Sequence, residues 1–135
     1  MLHKDTPILS ADGIMIRMDD IQPANSLVSI YGTTSIISKR YETKTLRRIA
    51  IEAYDDHYVY CCEDQEFFVK TEDGFAYKPP QEGDTIICLL SVDLNHTMVT
   101  RNIYEIIDTA PIEFVKLNLK GDSNILINGT IIVKP

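Results

Sequence analysis

Apolar residues in this chain come in runs of only a few positions, mostly β-branched or aromatic, and nearly every run is closed by Asp-Gly, Asn-Gly, Gly-Asp or Pro. Turn residues at that spacing reverse the chain before a helix of ordinary length can form, so the pattern predicts strands joined by tight turns. Candidate strands are Pro7 to Leu9, Ile14 to Met18, Leu27 to Tyr31, Leu46 to Tyr54, Tyr58 to Cys62 and Phe67 to Lys70. They continue with Phe75 to Lys78, Thr85 to Leu90, Met98 to Asp108, Ile112 to Leu119, Ile125 to Ile127 and Thr130 to Val133. Only Asp19 to Gln22 and the stretch after Pro79 read as short helical turns. The expected class is therefore all-β, with little or no helix.

Two blocks repeat in the same order. Ile8-Leu-Ser-Ala-Asp12-Gly13-Ile-Met-Ile-Arg17 parallels Val69-Lys-Thr-Glu-Asp73-Gly74-Phe-Ala-Tyr-Lys78, both hairpins around an acidic Asp-Gly turn. After a Pro-containing link, Ala24-Asn-Ser-Leu-Val-Ser-Ile30 parallels Gly83-Asp-Thr-Ile-Ile-Cys-Leu89. Ordered matches of this kind predict a duplicated, pseudo-two-fold architecture of β-hairpins, horseshoe-like in outline, with any special site between the halves. The expected organisation is one domain over residues 1–135, with halves at about 7–54 and 67–108 and a closing hairpin in 112–134. A chain of 135 residues can bury roughly two-thirds of its unfolded surface in one core without a metal or disulfide.

Charge and composition narrow the function classes. A net charge of -7 opposes a phosphate backbone, so no nucleic-acid partner is expected. The basic stretch from Lys39 to Arg48 alternates with Tyr41, Thr43 and Thr45 and reads as one solvated strand face. No apolar run approaches the ~18 residues of a membrane helix, and Met1 to Pro7 has no signal-peptide core, so no membrane is expected and synthesis in a cytosol is. Cys61, Cys62 and Cys88 are an odd number of thiols, expected reduced, with one of the adjacent pair in the core and the other flanking it. No metal or cofactor set can be assembled from them. Tyr54, Tyr58 and Tyr60 read as a packed cross-strand row, His57 as a turn residue, His96 as a loop cap, and His3 as lying near a terminus.

The tail carries more. Asn124-Ile-Leu-Ile-Asn128-Gly129-Thr-Ile-Ile-Val133-Lys134-Pro135 places Asn-Gly between two β-branched runs, a tight hairpin with both central residues at positive φ. Led into by Val115-Lys116-Leu-Asn-Leu-Lys-Gly-Asp-Ser, it resembles the C-terminal motif of inteins and hedgehog-type autoprocessing domains, the Hint family. Leu2-His-Lys-Asp5-Thr6-Pro7-Ile8-Leu9-Ser-Ala-Asp12-Gly13 resembles the first motif of that family. Ile21-Gln-Pro23-Ala-Asn25-Ser-Leu-Val28 and Gly83-Asp84-Thr-Ile86 resemble its scaffold stretches, and Tyr54-Asp-Asp-His-Tyr-Val-Tyr-Cys61-Cys62-Glu63-Asp64-Gln65-Glu-Phe67-Phe-Val69 resembles its Thr-x-x-His region. The resemblance spans essentially the whole chain, with no endonuclease-sized insertion, and implies the Hint fold.

It also implies where the chemistry would lie. The first residue in the family is a Cys or Ser that attacks the preceding carbonyl in an acyl shift; Met1 stands there. The motif His protonates the scissile nitrogen; Gln65 stands there, with Cys62 at the Thr position. A second register sets Tyr54-Asp-Asp-His57 on the same motif. An acidic residue or Cys that assists the second step is matched by Lys116, and the final His-Asn pair by Lys134 and Pro135, which has no side-chain amide to cyclise. The resemblance thus implies a Hint scaffold without its reacting groups. The expected function is a structural or protein-interaction component with protein partners, for instance in a phage or virus particle. The alternative is a self-processing intein domain, mutated or inactivated, and a third reading is an unrelated β-barrel binding module.

Overall fold

The computed structural model describes residues 1–52, 58–92, 95–121 and 123–135. The readings placed on Tyr54 and His57 lie outside them. Eleven strands run in chain order: β1 (Pro7–Leu9), β2 (Met15–Arg17), β3 (Ser26–Ser29), β4 (Gly32–Ile51), β5 (Tyr58–Cys62), β6 (Glu66–Thr71), β7 (Gly74–Lys78), β8 (Thr85–Val92), β9 (Asn95–Leu119), β10 (Ile125–Ile127) and β11 (Ile131–Lys134). One 3-10 turn, Met18–Asp20, follows β2. The architecture is all-β, as the turn spacing predicts.

All pairings are antiparallel, in the order β2-β1-β10-β11-β6-β8-β9-β4-β3, with β5 added to β4 and β7 added to β6. The Asp-Gly hairpins form at both predicted places: β1 pairs β2 and β6 pairs β7. The spine is β4 against β9, paired from Ile36 with Leu119 to Ile51 with Ile103 with register shifts after Ile36, Thr45 and Ala50. Both strands exceed their sequence expectation. β4 starts at Gly32, well before Leu46, and the two strands expected at Met98 to Asp108 and Ile112 to Leu119 fuse into one through Pro111. Pro111 sits opposite Thr45 where the register shifts between Thr45 and Leu46, so its missing N–H falls at a ladder irregularity and costs no regular hydrogen bond.

Burial explains the uninterrupted apolar runs. In β10 and β11, Ile125, Ile127, Ile131 and Val133 pack into the main core on one face and Leu126 and Ile132 into another apolar cluster on the opposite face, so both faces are covered. A strand buried on both sides has no polar alternation to show. Their connection is the predicted turn: Asn128 and Gly129 have φ of 53° and 80°, and Thr130 N–H donates to Ile127 O at 3.2 Å. A Cβ at Gly129 would meet only the end of the exposed Met15 side chain, 2.8 Å from Cε, so the positive φ and not the space is what favours glycine there.

The main core gathers Leu2, Ile8, Leu27, Ile49, Phe67 and Ile103 from both halves of the chain. A second apolar cluster joins Met1, Cys62 and Phe114, with Leu46 and Ile112 against them. A third covers the opposite side of β6 and β11 with Ile87, Leu126, Ile132, Phe68 and Tyr77. These satellites correct one expectation: Cys61 and Cys62 do point to opposite faces, yet both are fully buried, because the face of Cys62 is covered by Met1 and Phe114. His96 belongs to β9, paired with Ser91, instead of capping a loop. Tyr58 and Tyr60 meet edge-on at 6.2 Å, with His3 against Tyr60 and the Arg48 guanidinium 4.5 Å over Tyr58.

Candidate functional site

The first three residues thread between β5 and β9. Leu2 exchanges backbone hydrogen bonds with Val115 at 3.2 and 3.0 Å, Cys62 N–H donates to Met1 O at 3.0 Å, and His3 N–H donates to Tyr60 O at 3.0 Å. This sets residue 1 beside Cys62. The chain then turns after β5, where Gln65 N–H donates to Cys62 O at 3.2 Å, and Gln65 comes back toward Met1. The last strand arrives from the other side, with Val133 opposite Phe67 and Lys134 opposite Glu66. All three paths meet at Gln65.

That side chain is 2% exposed and fully engaged. Its Oε1 accepts from the Met1 nitrogen at 2.7 Å; its Nε2 donates to Lys134 O at 2.6 Å and Glu66 O at 2.9 Å. One primary amide thus bridges the backbone of residue 1 to that of residue 134. The Met1 nitrogen also donates to Cys62 Sγ at 3.2 Å, and the Cys62 thiol donates to Asp64 Oδ1 at 2.7 Å. Lys116 Nζ donates to Pro135 O at 2.9 Å, and the Lys134 ammonium lies 4.5 Å over the Tyr77 ring. The structure therefore brings together all six positions singled out from the sequence: Met1, Cys62, Gln65, Lys116, Lys134 and Pro135. All but Cys62, which packs against Met1, border a cleft of about 510 Å³ whose walls also include Arg40, Glu42 and Lys44.

Two participants have no signal in the sequence. Asp64 accepts from Cys62 and pairs with Lys44 Nζ at 2.9 Å, although Lys44 comes from β4, far along the chain. Donation from Cys62 and then Lys44 lowers the Asp64 carboxyl to about 2. The thiols move the other way. Burial, then donation to Asp64, raises Cys62, and burial alone accounts for Cys88 at about 11. Both therefore stay protonated near neutral pH and are poor nucleophiles. Among the described residues, no group of three His, Cys, Asp or Glu is placed to hold a metal ion.

The Asp64 network has a measurable pH signature. Its folded pKa lies below the unfolded 3.8, so its stabilisation is present above pH 4 and disappears as pH falls through about 2. The carboxylate side chain is 59% exposed, so solvent screening limits the contribution at neutral pH to about 1 kcal/mol. Asp64→Asn is expected to lower the urea unfolding free energy by that amount at pH 7 and by only a small fraction of it at pH 2. An equal gap at both values would remove the carboxylate from this account.

Solved structures supply the comparison. The gp41-1 intein superposes with a TM-score of 0.74 at 20% identity, covering 99% of this chain and 97% of its own. The PabCDC21-1 intein gives 0.80 at 14% identity, covering 99% and 98%. The fold is that of inteins. A DnaB intein from Synechocystis agrees, with a TM-score of 0.78 at 14% identity over 99% of this chain and 97% of that one. No family model and no curated protein matches the sequence. An intein-like Hint fold spanning the whole chain removes the reading as an unrelated β-barrel. At this level of identity the likeness carries the fold, and the chemistry rests on the residues at the cleft.

Proposed function

We propose that the protein is a non-catalytic Hint-fold module, serving as a structural or protein-interaction component of a larger assembly. The observation that carries this reading is the Gln65 bridge. Its amide touches the nitrogen of residue 1, the position at which the resemblance to inteins implies proton transfer, and also the carbonyl of residue 134. A primary amide donates and accepts hydrogen bonds but cannot deliver a proton to a leaving nitrogen. In this arrangement it holds the first and last segments together without making either bond labile. Met1 offers a thioether in place of a nucleophile, and Pro135 has no amide to attack its own carbonyl.

One contact favours a second reading, residual self-processing. Cys62 Sγ lies 3.2 Å from the Met1 nitrogen, close enough to reach a carbonyl attached there. Against it, the thiol is buried and kept protonated by burial and by Asp64.

The test is a fusion with reporter domains placed before Met1 and after Pro135, incubated with and without dithiothreitol and hydroxylamine, which intercept thioesters. A single full-length species is expected in every lane. Cleavage at either junction would overturn the non-catalytic reading. Abolition of that cleavage by Cys62→Ala would establish the second.

A further inference from the structure

Asn-Gly occurs once in this chain, at the tip of the β10–β11 hairpin. Among the described residues Asn128 is the one non-glycine at positive φ, and Gly129 after it has no Cβ to crowd its nitrogen. Neither the Asn128 side-chain amide nor the Gly129 N–H has a hydrogen-bond partner among those residues. Asn128 borders an open groove of about 740 Å³, with His3, Asp5, Pro7, Met15 and Tyr58 in its walls, so water reaches it. The other asparagines differ. Asn25, Asn102, Asn118 and Asn124 have side chains engaged with Gln22, Thr85, Ser38 and Ser29 in turn, and Asn95 is followed by His96 instead of glycine.

We propose that Asn128-Gly129 is a self-modification site, at which the chain converts Asn128 to isoaspartate and thereby loosens the hairpin that carries Lys134 to Gln65. The inference is independent of the non-catalytic reading, because the reacting atoms lie outside the cleft and need neither Met1 nor Pro135.

The Gly129 nitrogen gives up its proton to solvent and attacks Asn128 Cγ. The Cγ–Nδ2 bond breaks, and the amide nitrogen leaves as ammonia with a proton from water. A five-membered succinimide results. Water then adds to one of its two carbonyls: cleavage of the new N–Cγ bond yields aspartate, whereas cleavage at the backbone carbonyl of Asn128 yields isoaspartate, whose main chain runs through Cβ and Cγ. The net change is amide plus water to carboxylate and ammonium, with no oxidant or reductant. Closing the ring requires rotation about the Cα–C bond of Asn128. In the folded hairpin that rotation is opposed by the turn hydrogen bond from Thr130 N–H to Ile127 O at 3.2 Å, so the reaction waits on opening of the tip. A tip secured by one long hydrogen bond opens at far lower cost than the whole sheet. Isoaspartate then adds a main-chain carbon between Ile127 and Ile131, which face each other in the ladder, and the turn no longer fits their register. The strand it loosens is β11, whose Lys134 O accepts from Gln65 Nε2 at 2.6 Å.

The test incubates the whole chain in mildly alkaline buffer, native and in urea, followed by digestion, mass spectrometry and enzymatic methylation of isoaspartate. The native chain is expected to replace NH by O at Asn128 alone, about ten- to a hundredfold more slowly than the unfolded chain, because the tip must open first. In the converted fraction the β11 amide hydrogens should exchange at least about tenfold faster than in the unconverted one. Asn128→Gly keeps a residue suited to positive φ, so it should retain the circular dichroism of the wild type and show no loosening of β11 on incubation. Absence of conversion in the native chain after about a hundred half-times of the unfolded one would overturn the proposal. So would conversion spread evenly over the other asparagines, a converted fraction whose β11 amides exchange as slowly as before, or loosening that Asn128→Gly also shows.

Discussion

Gln65→Leu is expected to destabilise the protein by about 2–4 kcal/mol, although it leaves the buried volume nearly unchanged. Leucine has much the shape of glutamine, so the change opens no large cavity and isolates the polar term. What it removes is the acceptor for the Met1 nitrogen at 2.7 Å and the donor to Lys134 O and Glu66 O. The site is 2% exposed, so water cannot replace these partners without local opening. Stranded polar groups cost about 1–3 kcal/mol each, while a satisfied hydrogen bond contributes only about 1. The loss is therefore larger than a count of bonds suggests. Gln65→Glu separates the two halves of the bridge, since a carboxylate still accepts from Met1 but cannot donate to Lys134. Its urea midpoint should lie between wild type and Gln65→Leu. A Gln65→Leu chain as stable as wild type would mean that the amide does not hold the two terminal segments in place.

Phe67→Ala is the larger perturbation, at about 3–5 kcal/mol. Phe67 is fully buried in the main core and stands where β6 meets β7 on one side and β11 on the other, opposite Lys78 and Val133. Truncation leaves a cavity that three paired strands cannot collapse to fill, since their spacing is set by backbone hydrogen bonds. Against a total stability of about 5–15 kcal/mol, this is a sizeable fraction, and a fall in Tm of about 10 °C or more is expected. Phe75→Ala is the control, because its ring is 57% exposed and should change stability by no more than about 0.5 kcal/mol. Equal effects at the two phenylalanines would show that the core assignment is wrong. The Phe67 result also bears on the cleft, because the Val133 to Phe67 pairing is what carries Lys134 to Gln65.

The class of the fold and most of its punctuation are legible in the sequence because they are local. Alternating or short apolar runs specify strands, and Asp-Gly and Asn-Gly specify reversals, through φ preferences that need no partner. β1, β5 and β10 begin and end where residue chemistry alone places them, and Asn128-Gly129 adopts the positive φ its dipeptide demands. The long strands are another matter. Ser35 to Thr45 has too little apolar content to declare itself a strand, and Pro111 argues against one. Both become strand because β4 and β9 supply each other's hydrogen bonds along their length and place the proline at a register shift.

The same division holds at the site. Resemblance to a family motif singles out Met1, Cys62, Gln65, Lys116, Lys134 and Pro135 one at a time. It does not show that one amide spans from residue 1 to residue 134, that Cys62 is sealed beneath Met1 and Phe114, or that Asp64 and Lys44 lock the thiol. Those contacts join residues that are 61, 64 and 69 positions apart, or lie on different strands. The sequence by itself determined the all-β class, the turns and the identity of the groups available at the cleft. Their meeting was decided only by cross-strand register, which depends on the packing of the whole sheet and leaves no signature in any one stretch of chain.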